Sequence, residues 1–393
     1  MLKGIKSKLI LKIIFRNLKK KRQLKILKRN KYFQSKLNIR MNDFITYNLL
    51  KELNQRYNLD IPDINEKKLK FKIKGKHFSD VMEFINKIGF NELKELNYED
   101  GLISDLIPLE ASKFEKLEIL NLENNEISNI NAFEKFNFDE LKELNLSYNK
   151  LSDIKVLEKV KFKKLEILNL SFNKLRNIDI LEKVDFKELK ELILEKTEIS
   201  DISVLALVKF SELELLDLDR NQIYDISIFQ IVNFKKLKYL YLFGNYISNI
   251  SVFENVHFEN LEKLYLGFNY IEDINVFEIA NFKNLKYLGL HKNKIIDISV
   301  LEYCQFDKLE KLYFFGNKIK NIDVLTRVDF KELKVLNLSQ NKILDIEILI
   351  NVDFKKLEYL NLANNRKYNQ ILVKDLRNKI KNMYPNLLLN VNY

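Results

Sequence analysis

A single cysteine, Cys304, stands among 393 residues, so no disulfide can form within the chain. No apolar run approaches the roughly 20 residues that a helix needs to cross a bilayer. There are three histidines, His77, His257 and His291, and they fall at different places in the pattern described below, which leaves no shared ligand set for a metal. The eight glycines form no phosphate-binding loop, and neither a zinc-protease helix motif nor a nucleophile elbow is present. Acid is missing altogether from residues 1–40, which hold 15 Lys or Arg. The rest of the chain has 52 basic and 55 acidic residues, so the net charge of +12 belongs wholly to those first forty. The remainder, at −3, offers no case for nucleic-acid binding. These absences point away from catalysis, from a cofactor and from a metal.

What is present is a repeat. Leucine recurs every 24 residues at Leu93, Leu117, Leu141, Leu165, Leu189, Leu213, Leu237, Leu261, Leu285, Leu309, Leu333 and Leu357. A fixed period of this length means a solenoid, whose units bury their apolar faces only against neighbours. In residues 117–140, Leu120 and Leu122 stand two apart, which predicts a short strand. Ile127, Ile130, Phe133 and Phe136 then follow by threes, which predicts a helical or 3₁₀ return. One strand and one return per unit make a single turn of coil, so successive strands must lie parallel.

The pattern L-x-x-L-x-L-x-x-N-x-I resembles the leucine-rich repeat family, from about Leu69 to the C-terminus. The D-I-x-V-L returns, as at Asp201, Ile202, Val204 and Leu205, are similar to the short-repeat branch of the internalins and the phosphatase-1 regulatory subunit. That branch runs about 22 residues per unit, two fewer than here. The resemblance implies an α/β horseshoe, with a parallel sheet on the concave side and helical or 3₁₀ returns on the convex side, serving as a monomeric protein-interaction module. Extracellular members generally carry disulfide-bonded caps, which one cysteine precludes. The expected location is the cytosol, with the nucleus open.

The two additional residues supply a second spine. Phe90, Phe114, Phe138, Phe162, Phe186, Phe210, Phe234, Phe258, Phe282, Phe306, Phe330 and Phe354 hold one repeat position and are expected to stack as a column. The asparagine after each strand recurs from Asn125 to Asn365 with Thr197 as the exception, and it is read as a structural ladder for the backbone of a tight turn. Cys304 sits where other units have valine and reads as a packed thiol. The ends degenerate, as caps do: Gly101 and His77 replace the asparagine, and Leu69, Phe71 and Ile73 form a strand slipped by one residue. Near the C-terminus, Ile371, Leu372, Leu376, Ile380 and Met383 predict an amphipathic helix ended at Pro385, with a last strand through Leu387, Leu389 and Val391.

Three parts are expected: a basic helical segment over 1–40, a helical linker over 41–68 and the repeat domain over 69–393. Lys8 and Lys12 break the apolar stretch that a signal peptide needs, and the ends carry no lipidation motif. Lys19-Lys20-Lys21-Arg22 suits an import receptor, an anionic membrane or plain solvation. Ile10-Leu11-Lys12-Ile13-Ile14-Phe15-Arg16-Asn17-Leu18, continued by Leu24, Leu27 and Phe33, resembles the F-box. It lacks the usual Leu-Pro. That resemblance implies docking of residues 5–37 onto the linker subunit of a cullin ubiquitin ligase.

The exposed strand positions differ between repeats. Early ones carry Asn121, Asn145, Asn169, Ser147 and Ser171; later ones carry Tyr239, Tyr241, Phe243, Tyr265, Phe268, Tyr287, Tyr313 and Phe315. Gly289 is expected to leave a notch in the aromatic row. Glu191, Glu195, Asp217 and Asp219 lie just upstream, and Lys263, Lys292 and Lys311 are interspersed. Clustered aromatics offer large area and few rotors, as a protein hot spot requires; the same row is also a cross-strand ladder that stabilises the sheet. Three uses of the face stay open: a plain adaptor, a ubiquitin-ligase substrate receptor and a phosphatase-1 regulator.

Overall fold

A computed structural model describes residues 69–72, 82, 93–110, 115–353, 355–365 and 370–391. The expected basic segment and linker, the F-box-like run, His77, Phe90, Phe114 and Phe354 lie outside these residues. Among these residues fourteen parallel strands pair in strict chain order. They are β1 (Leu69–Lys72), β2 (Leu93–Asn97), β3 (Ile119–Asn121), β4 (Glu143–Asn145), β5 (Ile167–Asn169), β6 (Glu191–Ile193), β7 (Leu215–Asp217), β8 (Tyr239–Tyr241), β9 (Lys263–Tyr265), β10 (Tyr287–Gly289), β11 (Lys311–Tyr313), β12 (Val335–Asn337), β13 (Tyr359–Asn361) and β14 (Leu388–Asn390). The register advances by 24 residues per strand, so like residues face like residues, as Leu216 faces Leu240. Between β1 and β2 the register slips after Leu69, which the sequence anticipated.

Between β2 and β13 each return carries one short 3₁₀ turn among the described residues, such as Ser203–Ala206 or Asn275–Glu278. The expected C-terminal helix is α1 (Gln370–Met383); it buries Val373, Leu376 and Ile380, and β14 closes the sheet after it. The hydroxyl of Tyr384 donates to the Val352 carbonyl at 2.6 Å and ties this cap to the last return.

The asparagine ladder explains how so tight a coil closes. At Asn245 the side-chain oxygen accepts the Ile223 N–H at 3.1 Å, and the amide donates to the carbonyls of Leu218 at 2.9 Å and Leu242 at 3.2 Å. Leu218 and Ile223 belong to the preceding unit, so every asparagine staples two coils. The residue just before it turns left-handed in unit after unit, including the bulky Tyr148, Phe172 and Phe268 with φ of 54°, 55° and 53°. A left-handed residue with a side chain costs about 1–2 kcal/mol. The turn recurs even at Lys196, before Thr197, and the N–H of the left-handed residue bonds the next coil, as Phe268 N–H donates to His291 O at 2.8 Å and Lys196 N–H to Asp219 O at 2.9 Å.

Thr197 shows the ladder interrupted. Its hydroxyl donates to Leu194 O at 2.8 Å, but threonine has no second polar atom for the preceding coil. The backbone compensates: Arg176 and Glu198 enter the left-handed region away from the usual repeat position. The Arg176 N–H then donates to Thr197 O at 3.0 Å, and its guanidinium pairs with Glu198 at 2.8 Å.

The nine described phenylalanines of the second spine, Phe138 to Phe330, are all buried. Burial of each contributes about 1.5–3 kcal/mol. Rings meet directly in the early units, with centroids 5.5, 5.7 and 6.1 Å apart from Phe138 through Phe162 and Phe186 to Phe210. Later, a phenylalanine of the preceding 3₁₀ turn also joins, as Phe229 on Phe258 and Phe253 on Phe282. The expected column is therefore widened in its middle. Cys304 is half-buried; its thiol donates to Val300 O, and burial pushes its pKa up to about 12.

Removing one staple tests the ladder. Asn245→Ala leaves the Ile223 N–H unpaired, while the Leu218 and Leu242 carbonyls keep the amides of Asn221 and Asn269, and one unsatisfied buried donor costs about 1–3 kcal/mol. Thr197→Ala orphans no group, because the Leu194 carbonyl keeps the Asn221 amide at 2.8 Å, and should cost at most about 1 kcal/mol for one lost hydrogen bond. Urea unfolding monitored by circular dichroism compares the two; equal losses would refute the ladder as the source of this stability.

Candidate protein-interaction face

On each strand the middle residue points into the core and its two neighbours point to solvent, so three facing positions recur per unit: both strand ends and the residue two further on. Over β3 to β7 these positions hold Glu123, Glu143, Glu191, Glu195, Asp217 and Asp219, and no lysine or arginine. Over β8 to β11 they hold no acid. There the occupants are seven aromatics, His291, Lys263, Lys311, Gly267 and Gly289. The sheet face thus changes character between β7 and β8.

The aromatics form two rows. Tyr241, Tyr265, Tyr287 and Tyr313 run across four strands with ring centroids 4.5, 4.3 and 5.1 Å apart. Beside them, Phe243 and Phe315 flank His291, whose ring stacks on Phe315 at 4.4 Å and meets Phe243 at 5.6 Å. Phe268 occupies the left-handed turn position, which throws its ring onto the rim; it is 49% exposed and meets Phe243 at 4.9 Å. Tyr239 lies at the edge beneath the Lys263 ammonium, 5.1 Å from the ring centre. The seven sheet-facing aromatics are half-buried by one another, so the ladder and the surface are one object.

The notch expected at Gly289 is filled. A side chain there would begin 3.1 Å from the Tyr287 ring, which leans over the glycine between Tyr265 and Tyr313. Gly267 plays the same part for His291, whose imidazole atoms lie 2.4–2.8 Å from where a Cβ would stand. Both glycines admit a ring and open no gap.

Three features of the face escaped the sequence reading. The sequence offers His291 only as one of three scattered histidines; the structure makes it a member of the aromatic row. Burial, with Lys292 beside it, lowers its pKa to about 4, so the ring is neutral near pH 7, and its Nδ1 is buried without a hydrogen-bond partner. Alignment at the 24-residue period places it in register with Phe243 and Phe315, which was the available signal. Tyr246 and Tyr270 stack at 6.0 Å on the rim beyond Phe268, with Lys294 over Tyr270. Lastly, the residue after each repeat leucine alternates in sign without exception from Lys94 and Glu118 to Lys334 and Glu358. Lys142–Glu118, Lys190–Glu166, Lys238–Glu214, Lys286–Glu262 and Lys334–Glu310 pair at 2.7–3.0 Å along one margin. Lys94 and Lys142 together hold the Glu118 carboxyl down at about 2.

Asn121, Asn145 and Asn169 each accept the N–H two residues on at 3.0 Å, so these early residues are backbone supports. Asp217 does likewise for Asp219 at 2.9 Å, and Asp219 accepts the Phe243 N–H at 2.7 Å across the strands. Burial against the aromatic rows pushes Asp217 up to about 6 and Asp219, with the Asp217 charge added, up to about 8. Lys292, expected within the patch, instead crosses Gly316 and bonds Gln340 at 2.6 Å.

Comparison with known proteins agrees with this geometry. The family description "Leucine Rich repeats (2 copies)" matches residues 139–183, 235–279, 259–303 and 307–351, and "Leucine rich repeat" matches 187–247; together they span more than half of the chain. No curated protein matches. Among solved structures, an internalin from Listeria monocytogenes superposes with a TM-score of 0.59 at 24% identity, covering 83% of this chain and 95% of that one. A leucine-rich repeat protein of Leptospira interrogans gives 0.62 at 21%, covering 83% and 90%. The functional domain of InlJ from Listeria monocytogenes, which includes a cysteine ladder, gives 0.51 at 16%, covering 78% and 64%. At these identities the likeness concerns the fold. Among the described residues no helix is long and apolar enough to cross a membrane.

The two aspartates give a pH test. Their folded pKa values lie above the ordinary carboxylate value, so the folded state holds more protons than the unfolded chain, and stability falls as pH rises through about 4 to 8. Asp219→Asn keeps an acceptor for the Phe243 N–H and removes the charge. It is expected to raise the melting temperature at about pH 8 and to leave it nearly unchanged at about pH 4, read by thermal unfolding at both values. Equal shifts at both would refute the assignment.

Proposed function

The chain belongs to the leucine-rich repeat proteins, and from that premise we propose that it is a non-enzymatic protein-interaction module whose partner docks on the sheet face over β8 to β11. One observation carries the placement. Aromatic side chains occupy seven of twelve facing positions on these four strands, whereas the equivalent positions on β3 to β5 are filled largely by asparagine and serine that support their own backbone. A ladder needed for stability alone would serve any strand equally, at about 0.2–1 kcal/mol per pair. Confinement to one stretch suits a recognition site, where rigid rings supply buried area at little entropic cost. At about 4.8 Å per strand, the stretch matches the footprint of a loop or peptide and not of a small metabolite.

A second reading builds on the first. The I-L-x-x-I-F-x-x-L run over residues 10–18 supports a substrate receptor of a cullin ubiquitin ligase, with the sheet face selecting the protein delivered. The phosphatase-regulator reading rests on the repeat subtype and on the mixed acidic and aromatic sheet face.

The placement is tested with Tyr241→Ala, Tyr265→Ala and Tyr313→Ala combined in the full chain. Loss of three stacked rings should lower stability by a few kcal/mol at most and abolish partner capture in affinity purification with mass spectrometry. A folded triple variant that retrieves the same partners would overturn it. In the same experiment, Ile14→Asp with Phe15→Asp should remove a cullin linker subunit from the capture and leave the remaining partners in place.

A further inference from the structure

A second surface, on the return side of the coil, departs from its own repeat rule. Six residues before each repeat leucine, early units carry Lys135, Lys159 and Lys183, and a late one carries Arg327. Each pairs with a glutamate of the return before it: Lys135–Glu110 at 2.5 Å, Lys159–Glu134 at 3.1 Å, Lys183–Glu158 at 3.7 Å and Arg327–Glu302 at 2.6 Å. Over the five returns between Lys183 and Arg327, the same position holds Leu207, Ile231, Asn255, Ile279 and Tyr303. The four apolar members are 54–68% exposed. Glu182, Glu254 and Glu278 keep the glutamate position beside Leu207, Ile279 and Tyr303; they are exposed and have no ion pair or hydrogen bond among the described residues. Apolar residues scattered singly on a surface need no explanation. Here an ion-pair row gives way to an apolar row, and three of its carboxylates remain without their cations.

We propose that this row is the docking site of the chain's own residues 8–22, seated on it as an amphipathic helix. The spacing suits a helix. Successive coils lie about 4.8 Å apart at the strands, and equivalent rings on successive returns, Phe253 and Phe277, lie 6.5 Å apart. The helix pitch of about 5.4 Å falls between these values, so a helix laid along the row offers one turn to each return. Five returns take about four turns, or roughly 15 residues. At 3.6 residues per turn, Ile10, Ile13, Ile14, Phe15 and Leu18 share one arc, and Lys8 and Lys20 border it. The segment has no acid, which complements the unpaired glutamates. A second copy set row against row would oppose glutamate to glutamate, and a nucleic acid or an anionic membrane would meet the same carboxylates. From β1 to the return after β10 is about nine coil spacings, roughly 43 Å, well within the reach of an extended tether over residues 23–68. Tethering also holds the segment at an effective concentration of about millimolar. The ligase reading uses the same apolar residues, so docking here and capture of a linker subunit exclude one another.

Zero-length carbodiimide coupling of the full chain, read by mass spectrometry, tests the contact, because it joins only carboxylates and amines that touch. The Lys159–Glu134 pair is the internal positive control. Lysines within residues 8–22 are expected to couple to Glu254 and Glu278. In a mixture of isotope-labelled and unlabelled protein, those links should stay within one label. Ile231→Asn with Ile279→Asn, a residue the row already accepts at Asn255, should cut their yield about tenfold. Leu344→Asn, at a site 53% exposed and away from the row, should leave the yield unchanged. Absence of the links while the control pair couples overturns the proposal. Links between labels overturn it as well and make a second copy the occupant. An undiminished yield from the double asparagine variant shows that charge alone brings the segment near, and removes the apolar row as its site.

Discussion

The asparagine side chain at the end of each strand is the constraint on which everything else hangs. A coil of 24 residues must reverse direction within a few residues of a three-residue strand, and such a reversal strands carbonyls and N–H groups in the interior. One carboxamide offers an acceptor and two donors. It therefore satisfies its own turn and the coil before it, as Asn245 does with Leu242, Leu218 and Ile223. The left-handed residue that precedes it is tolerated even when it is a phenylalanine. One consequence is that Phe268 reaches the rim, because the turn directs it outward.

With the turn fixed, the core and the surface are set independently. Leucines at three fixed positions, replaced at the third by Tyr98 and Phe314, fill the interior together with the phenylalanine spine, so the fold does not depend on which residues face solvent. The facing positions are free to differ, and they do: asparagine and serine early, carboxylates up to β7, aromatic rings from β8. The alternating Lys–Glu margin belongs to neither group. Exposed pairs contribute about 0–1 kcal/mol each, and their strict alternation places unlike charges beside one another along the whole solenoid. Pairing unlike neighbours also disfavours a slip by one unit, which would set like charges side by side.

The boundary between β7 and β8 is where the face becomes chemically distinctive. Asp219 is held by the Phe243 amide and crowded by rings, so its carboxyl resists ionisation. A carboxyl in that state responds to whatever arrives over it.

Sequence periodicity determined the solenoid, the parallel strand order, the phenylalanine spine, the asparagine ladder and the C-terminal helix and strand, because each repeats or ends at a spacing that only one local geometry satisfies. It also located the aromatic stretch, since the facing positions of a strand follow from alternation alone. Tertiary structure alone decided how those rings are disposed. Gly289 reads as a gap in one strand, yet the adjacent Tyr287 falls into it, because a glycine's space goes to the nearest large neighbour. His291 joins the aromatic row, and Lys292 leaves the patch for Gln340, for the same reason: a side chain's direction depends on which neighbour yields room, and that neighbour lies 24 residues away.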